Sequence, residues 1–155
     1  MDDTAYVALA KAQMPGLYRI AYSILRSRPD AEDAVQQALL SAWKHRDRAR
    51  PGAERAWLAR IVVNASRDVI RRRREVPVDS FPDLAAPSDA PDTGLYEAID
   101  SLPELLRTPF LLKYMEGMTE KEVSLALRIP VSSVKGRLFR ARKALKIALG
   151  EEDAP

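Results

Sequence analysis

The stretch Thr119–Lys146, TEKEVSLALRIPVSSVKGRLFRARKALK, decides the fold. In Thr119-Glu120-Lys121-Glu122 a hydroxyl precedes a carboxylate by three residues, the reciprocal capping pattern that satisfies orphan amides at a helix start. The helix it opens is expected to stop near Arg128-Ile129-Pro130, because proline disfavours helical geometry in the residue before it, and a second helix is predicted from about Val131. That is the spacing of a helix-turn-helix. On the second helix, steps of 100° place Val131, Val134, Leu138, Ala141, Leu145 and Leu149 along one stripe, the side predicted to be buried. Ser132, Gly136, Phe139, Arg140 and Lys143 share the opposite side, with Arg137 and Arg142 at its flanks. A mid-helix Gly costs about 1 kcal/mol relative to Ala, yet at the centre of an outer face it lets the backbone approach a groove closely. Phe139 beside it has the chemistry to meet a thymine methyl, packing on a neighbouring helix being the alternative.

A second basic helix is predicted from Ala53 to Arg74, ending in Arg71-Arg72-Arg73-Arg74. Periodicity groups Leu58, Ile61, Val62, Ala65 and Val69 on a core side, and Trp57, Arg60, Asn64, Arg67 and Arg71 on the other. Cations there can hold phosphates, an amide can read a base edge, and an indole can stack on an unpaired base. Trp57 bracing the helix entry is the alternative role. The preceding loop, with Arg48 and Arg50 before Pro51-Gly52, is a basic approach to the same face. A further helix, from a cap at Asp30-Ala31-Glu32-Asp33 to about Asp47, has a core stripe of Ala31, Val35, Ala38, Leu39 and Ala42. Leu40 then stands among polar groups, between Gln36 and Trp43, as on a docking surface for another protein, although one exposed leucine is ordinary.

Charge is uneven along the 155 residues. Residues 1–74 hold 15 Lys/Arg against 8 Asp/Glu, residues 75–93 none against 5, and residues 94–155 hold 10 against 9, for a net charge of +3. Positive charge concentrated on two helices favours phosphate backbones, whose counterions are released on binding. The segment Glu75 to Gly94 contains Pro77, Pro82, Pro87 and Pro91 and no cation, and reads as an extended acidic linker. The expected fold is therefore all-α. Two small helical domains, 1–74 and 94–149, are joined by a Pro-rich linker over 75–93, with a tail at 150–155. Within the first, Thr4 to Leu25 is periodic but expected to be interrupted at Pro15-Gly16. In the second, short helices over Leu95–Leu102 and Pro103–Met115 lead into the helix-turn-helix.

The chain has no cysteine, which excludes disulfide staples, thiolate metal sites and cysteine nucleophiles. Its N-terminus is acidic where a signal peptide would be basic, and no apolar run approaches the roughly 18 residues of a membrane span, so a cytoplasmic protein without membrane attachment is expected. The lone His45 has no evident catalytic partner and no phosphate-cradling Gly-rich loop occurs, so no enzyme, cofactor or metal is expected.

These residues resemble the extracytoplasmic-function (ECF) class of bacterial sigma factors, in the sigma-70 family. Ala31-Glu32-Asp33-Ala34-Val35-Gln36-Gln37-Ala38-Leu39-Leu40-Ser41-Ala42-Trp43 is similar to region 2.2, Trp57 through Arg72 to regions 2.3 and 2.4, and Leu102-Pro103 through Lys146 to region 4. The sequence departs from the usual pattern at Leu39-Leu40, where many members carry an aromatic, and at Gly136, where Ser is common. The resemblance implies a subunit that binds core RNA polymerase, directs it to promoter DNA and helps melt the duplex, in a stress or envelope-type response. It assigns docking on the clamp helices of the largest subunit to Asp33, Gln36, Gln37 and Leu40. The -10 element and melting fall to Arg48, Arg50, Trp57, Arg60, Asn64, Arg67 and Arg71. Recognition of the -35 element falls to Ser132, Ser133, Lys135, Gly136, Arg137, Phe139, Arg140 and Lys143, and region 4 docks on the flap of the other large subunit. Regulation by an anti-sigma factor is typical of the family, and association with the nucleoid follows from polymerase binding.

Overall fold

The computed structural model describes residues 1–75 and 94–150. Helix α1 (Asp3–Leu25) starts at Asp2, whose carboxylate accepts the amide of Ala5, and ends at Arg26 in the left-handed region. It runs unbroken through Pro15, against the expected interruption. Tyr6 and Ala10 before the proline and Leu17, Ile20, Ala21, Ile24 and Leu25 after it are all buried. Packing on both sides holds the helix together despite the hydrogen bond that proline cannot donate.

Helix α2 (Arg28–Lys44) is capped one turn earlier than the sequence suggests, by Ser27, with Pro29 in its first turn. A short 3-10 turn (Arg46–Arg48) leads toward α3 (Glu54–Glu75). These three helices surround a core rich in alanine, where Ala21, Ala31, Ala34, Ala38, Ala42, Leu58, Ala59 and Val62 are almost completely shielded. Small side chains let the helix axes approach closely.

The buried face of α3 is turned from the predicted one. Ala56, Leu58, Ala59, Val62, Val63 and Ser66 are buried, whereas Ile61, Ala65 and Val69 are half-buried. The Ser66 hydroxyl is satisfied by donating to the Val62 carbonyl at 2.8 Å. Residues on both flanks of the stripe are covered because α3 has neighbours on two sides: α1 and α2 on one, and the C-terminal half on the other.

Helices α4 (Leu95–Ser101), α5 (Glu104–Tyr114), α6 (Glu120–Leu127) and α7 (Val131–Ala148) follow, and no strand occurs among the described residues. The C-terminal half has a small cluster of its own, Ala98, Ile99, Leu102, Ala141 and Leu145. Leu112, Met118, Val123, Ala126, Leu127, Val134 and Leu138 instead belong to one apolar cluster with α1, α2 and α3. Buried Arg107 on α5 ties the halves further: it donates to the Ser23 carbonyl at 3.1 Å and to the Leu102 carbonyl at 2.7 Å. The Pro-rich linker, predicted over 75–93, lies outside the described residues except for Glu75, which closes α3.

Candidate nucleic-acid interface

The capping box predicted at Thr119 is present. The Thr119 hydroxyl accepts the amide of Glu122, and the Glu122 carboxylate accepts the amide of Thr119, both at 3.1 Å. Arg128 ends α6 in a left-handed conformation, its amide reaching back to the Ser124 carbonyl, and Pro130 starts α7. The Ser124 hydroxyl closes the turn by donating to the Ile129 carbonyl. Val134, Leu138, Ala141 and Leu145 anchor α7 inward, while Val131 and Leu149 at its ends are exposed.

On the outer side of α7, Ser132, Lys135, Gly136, Phe139, Arg140 and Lys143 are exposed and Ser133 and Arg137 half-exposed. Phe139 is 56% exposed, which rules out packing on a neighbouring helix as its role. A Cβ added at Gly136 would meet nothing within 4 Å, so no neighbour requires glycine there. The outer face is therefore a row of solvated cations with a bare patch of backbone at its centre, and α7 carries no acid to neutralise it. Such a surface matches a phosphate-lined groove in sign and shape.

The second predicted surface is split. Arg48, Arg50, Asn64, Arg67 and Arg71 are exposed, and Trp57 and Arg60 are half-buried. Arg67 lies 3.5 Å from Glu104, and Arg71 pairs with Asp68 on its own helix at 3.1 Å. Trp57 and Arg60 line an open cleft of about 950 Å³ between α3 and α6, together with Arg48, Arg50, Lys121 and Arg128. Burial and the nearby Arg128 charge both lower the pKa of the Arg60 guanidinium from its ordinary value. A cleft with this many cations and an indole in its wall suits an anion that carries a flat ring.

The third surface lies on α2, where Asp33, Gln36, Gln37 and Leu40 all face solvent along one side. Leu40 is 64% exposed. It borders an apolar groove floored by Tyr6, Ala10, Leu39 and Trp43, with the Trp43 ring edge-on to Tyr6 and beneath the Arg46 guanidinium. Mixed polar and apolar surface around one protruding leucine is the pattern of a protein-docking face.

Sequence reasoning missed the residues that join the halves. Arg55 and Glu122, 67 positions apart, form a two-point ion pair, and Arg19 and Glu116 form another. No local pattern encodes such contacts, and Glu122 was legible only as a capping residue. Among the described residues no group of His, Cys, Asp and Glu is placed to hold a metal, and no helix is long and apolar enough to cross a membrane.

Comparison with known proteins matches both halves of the chain to known domain families. The sigma-70 region 2 family matches residues 9–76, and the sigma-70 region 4 family matches residues 93–145. RNA polymerase sigma factor SigV of Bacillus subtilis is 30% identical over 142 residues, covering 88% of this chain and 86% of SigV. ECF RNA polymerase sigma factor SigE of Mycolicibacterium smegmatis is 26% identical over 94% of this chain, which spans 62% of that protein's length. Among solved structures, the sigma factor RpoE in complex with the anti-sigma factor NepR from Bartonella quintana superposes with a TM-score of 0.78 at 25% identity, over 96% of this chain and 98% of RpoE. CnrH in complex with the cytosolic domain of CnrY gives 0.71 at 26% identity, over 98% and 92%. Two family domains in order, an all-helical fold and relatives of the same class agree: the chain belongs to the sigma-70 family, as a sigma factor of the ECF class acting in promoter-specific transcription initiation.

Proposed function

We propose that this protein binds core RNA polymerase through the α2 face of Asp33, Gln36, Gln37 and Leu40, on the clamp helices of the largest subunit, and through its C-terminal half on the flap of the other. The outer face of α7 then reads the -35 element. The Arg48 and Arg50 loop, with Trp57, Arg60, Asn64, Arg67 and Arg71, engages the -10 element and holds the opened strand. The chain's two domains divide at the acidic linker. The observation that carries this reading is the solvated outer side of α7, whose charges are all positive, presented by a helix-turn-helix whose first helix is locked by a capping box.

An anti-sigma factor is the proposed regulator, in keeping with the complexes in which RpoE and CnrH were solved. The setting is a stress or envelope-type response in the cytoplasm, on the nucleoid once polymerase is bound. The test is reconstitution with core polymerase and genomic DNA fragments. Start sites used only when the protein is added support the reading, whereas tight binding of duplex DNA without polymerase and no new start sites refutes it.

A further inference from the structure

The cleft of about 950 Å³ between α3 and α6 is lined by five cations, Arg48, Arg50, Arg60, Lys121 and Arg128, and by one acid, Glu122. That acid is already engaged. Both its oxygens are held by Arg55, at 2.7 and 3.1 Å, and Arg55 is not part of the lining. Among the described residues none of the five cations forms an ion pair. The Nε of Arg60 is buried without a hydrogen-bond partner, and the charge of Arg128 bears on the same guanidinium. Like charges held together in a partly shielded space disfavour one another, and an anion placed between them reverses the sign of the interaction.

The rest of the wall has a different chemistry. Pro51, Ala53, Leu125 and Ile129 give it an apolar side, and the half-buried indole of Trp57 is the one aromatic ring in the lining. Cations alone would suit inorganic phosphate, but a cavity of this size suits a ligand of some tens of atoms with an apolar part as well as a charged one. Lys121 and Arg128 come from the α6 side and Trp57 and Arg60 from α3, so charge stands on two facing walls. Facing walls enclose a compact polyanion, whereas a strand calls for a groove that tracks its backbone. A nucleotide with two or three phosphates has both parts, several negative charges for the cations and a flat base for the indole.

We infer that this cleft is a binding site for a free nucleoside polyphosphate, with its base against Trp57 and its phosphates among Arg60, Lys121 and Arg128. Lys121 and Arg128 belong to none of the promoter or polymerase surfaces, so the site goes beyond the function proposed above. It shares Arg48, Arg50, Trp57 and Arg60 with the -10 surface. A bound nucleotide therefore withholds these side chains from the opened strand, a consequence that rests on the strand-holding role given above.

The test titrates the full chain with ATP and follows tryptophan fluorescence, excited beyond the absorption of adenine. ATP should quench saturably, and Trp57→Phe should abolish the saturable change, leaving Trp43 as the remaining tryptophan. Adenosine, which lacks the phosphates, and inorganic phosphate, which lacks the base, should each bind at least about tenfold more weakly by calorimetry. The Lys121→Gln, Arg128→Gln double variant alters two exposed side chains and should lose about tenfold or more in ATP affinity at unchanged helicity. Absence of saturable quenching, equal affinity for inorganic phosphate and ATP, or an unchanged affinity in the double variant overturns the site. A single-stranded oligonucleotide should displace ATP from the wild type. If ATP binds as stated and the strand does not compete, the nucleotide site stands and the strand-holding role of Trp57 and Arg60 falls.

Discussion

The N-terminal half is built from helices of 23, 17 and 22 residues, and the C-terminal half from helices of 7, 11, 8 and 18. The first closes a core from its own three helices. The second encloses only Ala98, Ile99, Leu102, Ala141 and Leu145 by itself, and completes the rest of its interior against α3. A chain segment this short buries proportionally little surface, so a neighbour's apolar face adds most where the segment's own supply is least. One half is self-sufficient and the other leans.

The largest effect that could break this comparison comes from the two cores. Leu58 on α3 and Leu138 on α7 are both fully buried. Each Leu→Ala change should cost about 2–5 kcal/mol, the sum of lost burial and the cavity left behind. If the core is shared, urea unfolding of either variant should follow one transition, shifted as a whole, by circular dichroism and by tryptophan fluorescence. Two separate transitions, with Leu138→Ala moving only one, would show that the halves are energetically independent.

Next in size is the division of labour between the α7 face and the α2 face. Arg140→Ala with Lys143→Ala removes two exposed cations of α7. If they hold phosphates, the logarithmic salt slope of promoter binding by the holoenzyme should fall by roughly 2, with binding weakened at every promoter. Affinity for core polymerase should stay as it was. An unchanged slope with lost polymerase binding would reverse the assignment of the two faces.

What the sequence made legible follows the same divide between local and long-range physics. The helix-turn-helix could be placed to within a few residues because Thr119, Glu122 and Pro130 act within one or two turns of themselves. The solvent-facing set on α2 was readable from periodicity for the same reason. The buried face of α3 was not, since neighbours on a second side draw Ala56, Ala59, Val63 and Ser66 inward beside Leu58 and Val62, while Ile61 and Ala65 stay half-buried. Pro15 looked like a break because its local preference is clear, whereas the packing that overrides it comes from residues on two other helices. The Arg55–Glu122 contact was invisible at a separation of 67 residues.

A smaller effect, of about 1 kcal/mol, is expected at Gly136. With open space where a Cβ would stand, Gly136→Ala should stabilise α7 by about that amount through helix propensity alone. If the bare backbone lies against a groove, the same change should lower -35-dependent transcription although the protein melts at a higher temperature. Gains in both would mean that glycine is merely tolerated on the outer face.

The smallest effect sharpens the comparison where the halves touch. Hydrogen bonds from Arg55 hold the Glu122 carboxyl below its usual pKa, aided by the Thr119 amide and hydroxyl and opposed by partial burial. Arg60 and Arg128 line the same cleft and add positive charge nearby. In the unfolded chain Glu122 loses Arg55 and titrates nearer its ordinary range. Its contribution to folding stability is therefore complete above that range, declines as pH falls through it, and is gone below the depressed value of the folded form. The share of urea stability that depends on Glu122 should be flat around neutrality and drop in acid. Other carboxylates titrate there too, so the decisive quantity is the difference from Glu122→Gln, which cannot protonate and should lack this share of the drop. An identical acid profile in the two proteins would mean that the capping role of Glu122, common to both side chains, is its only one.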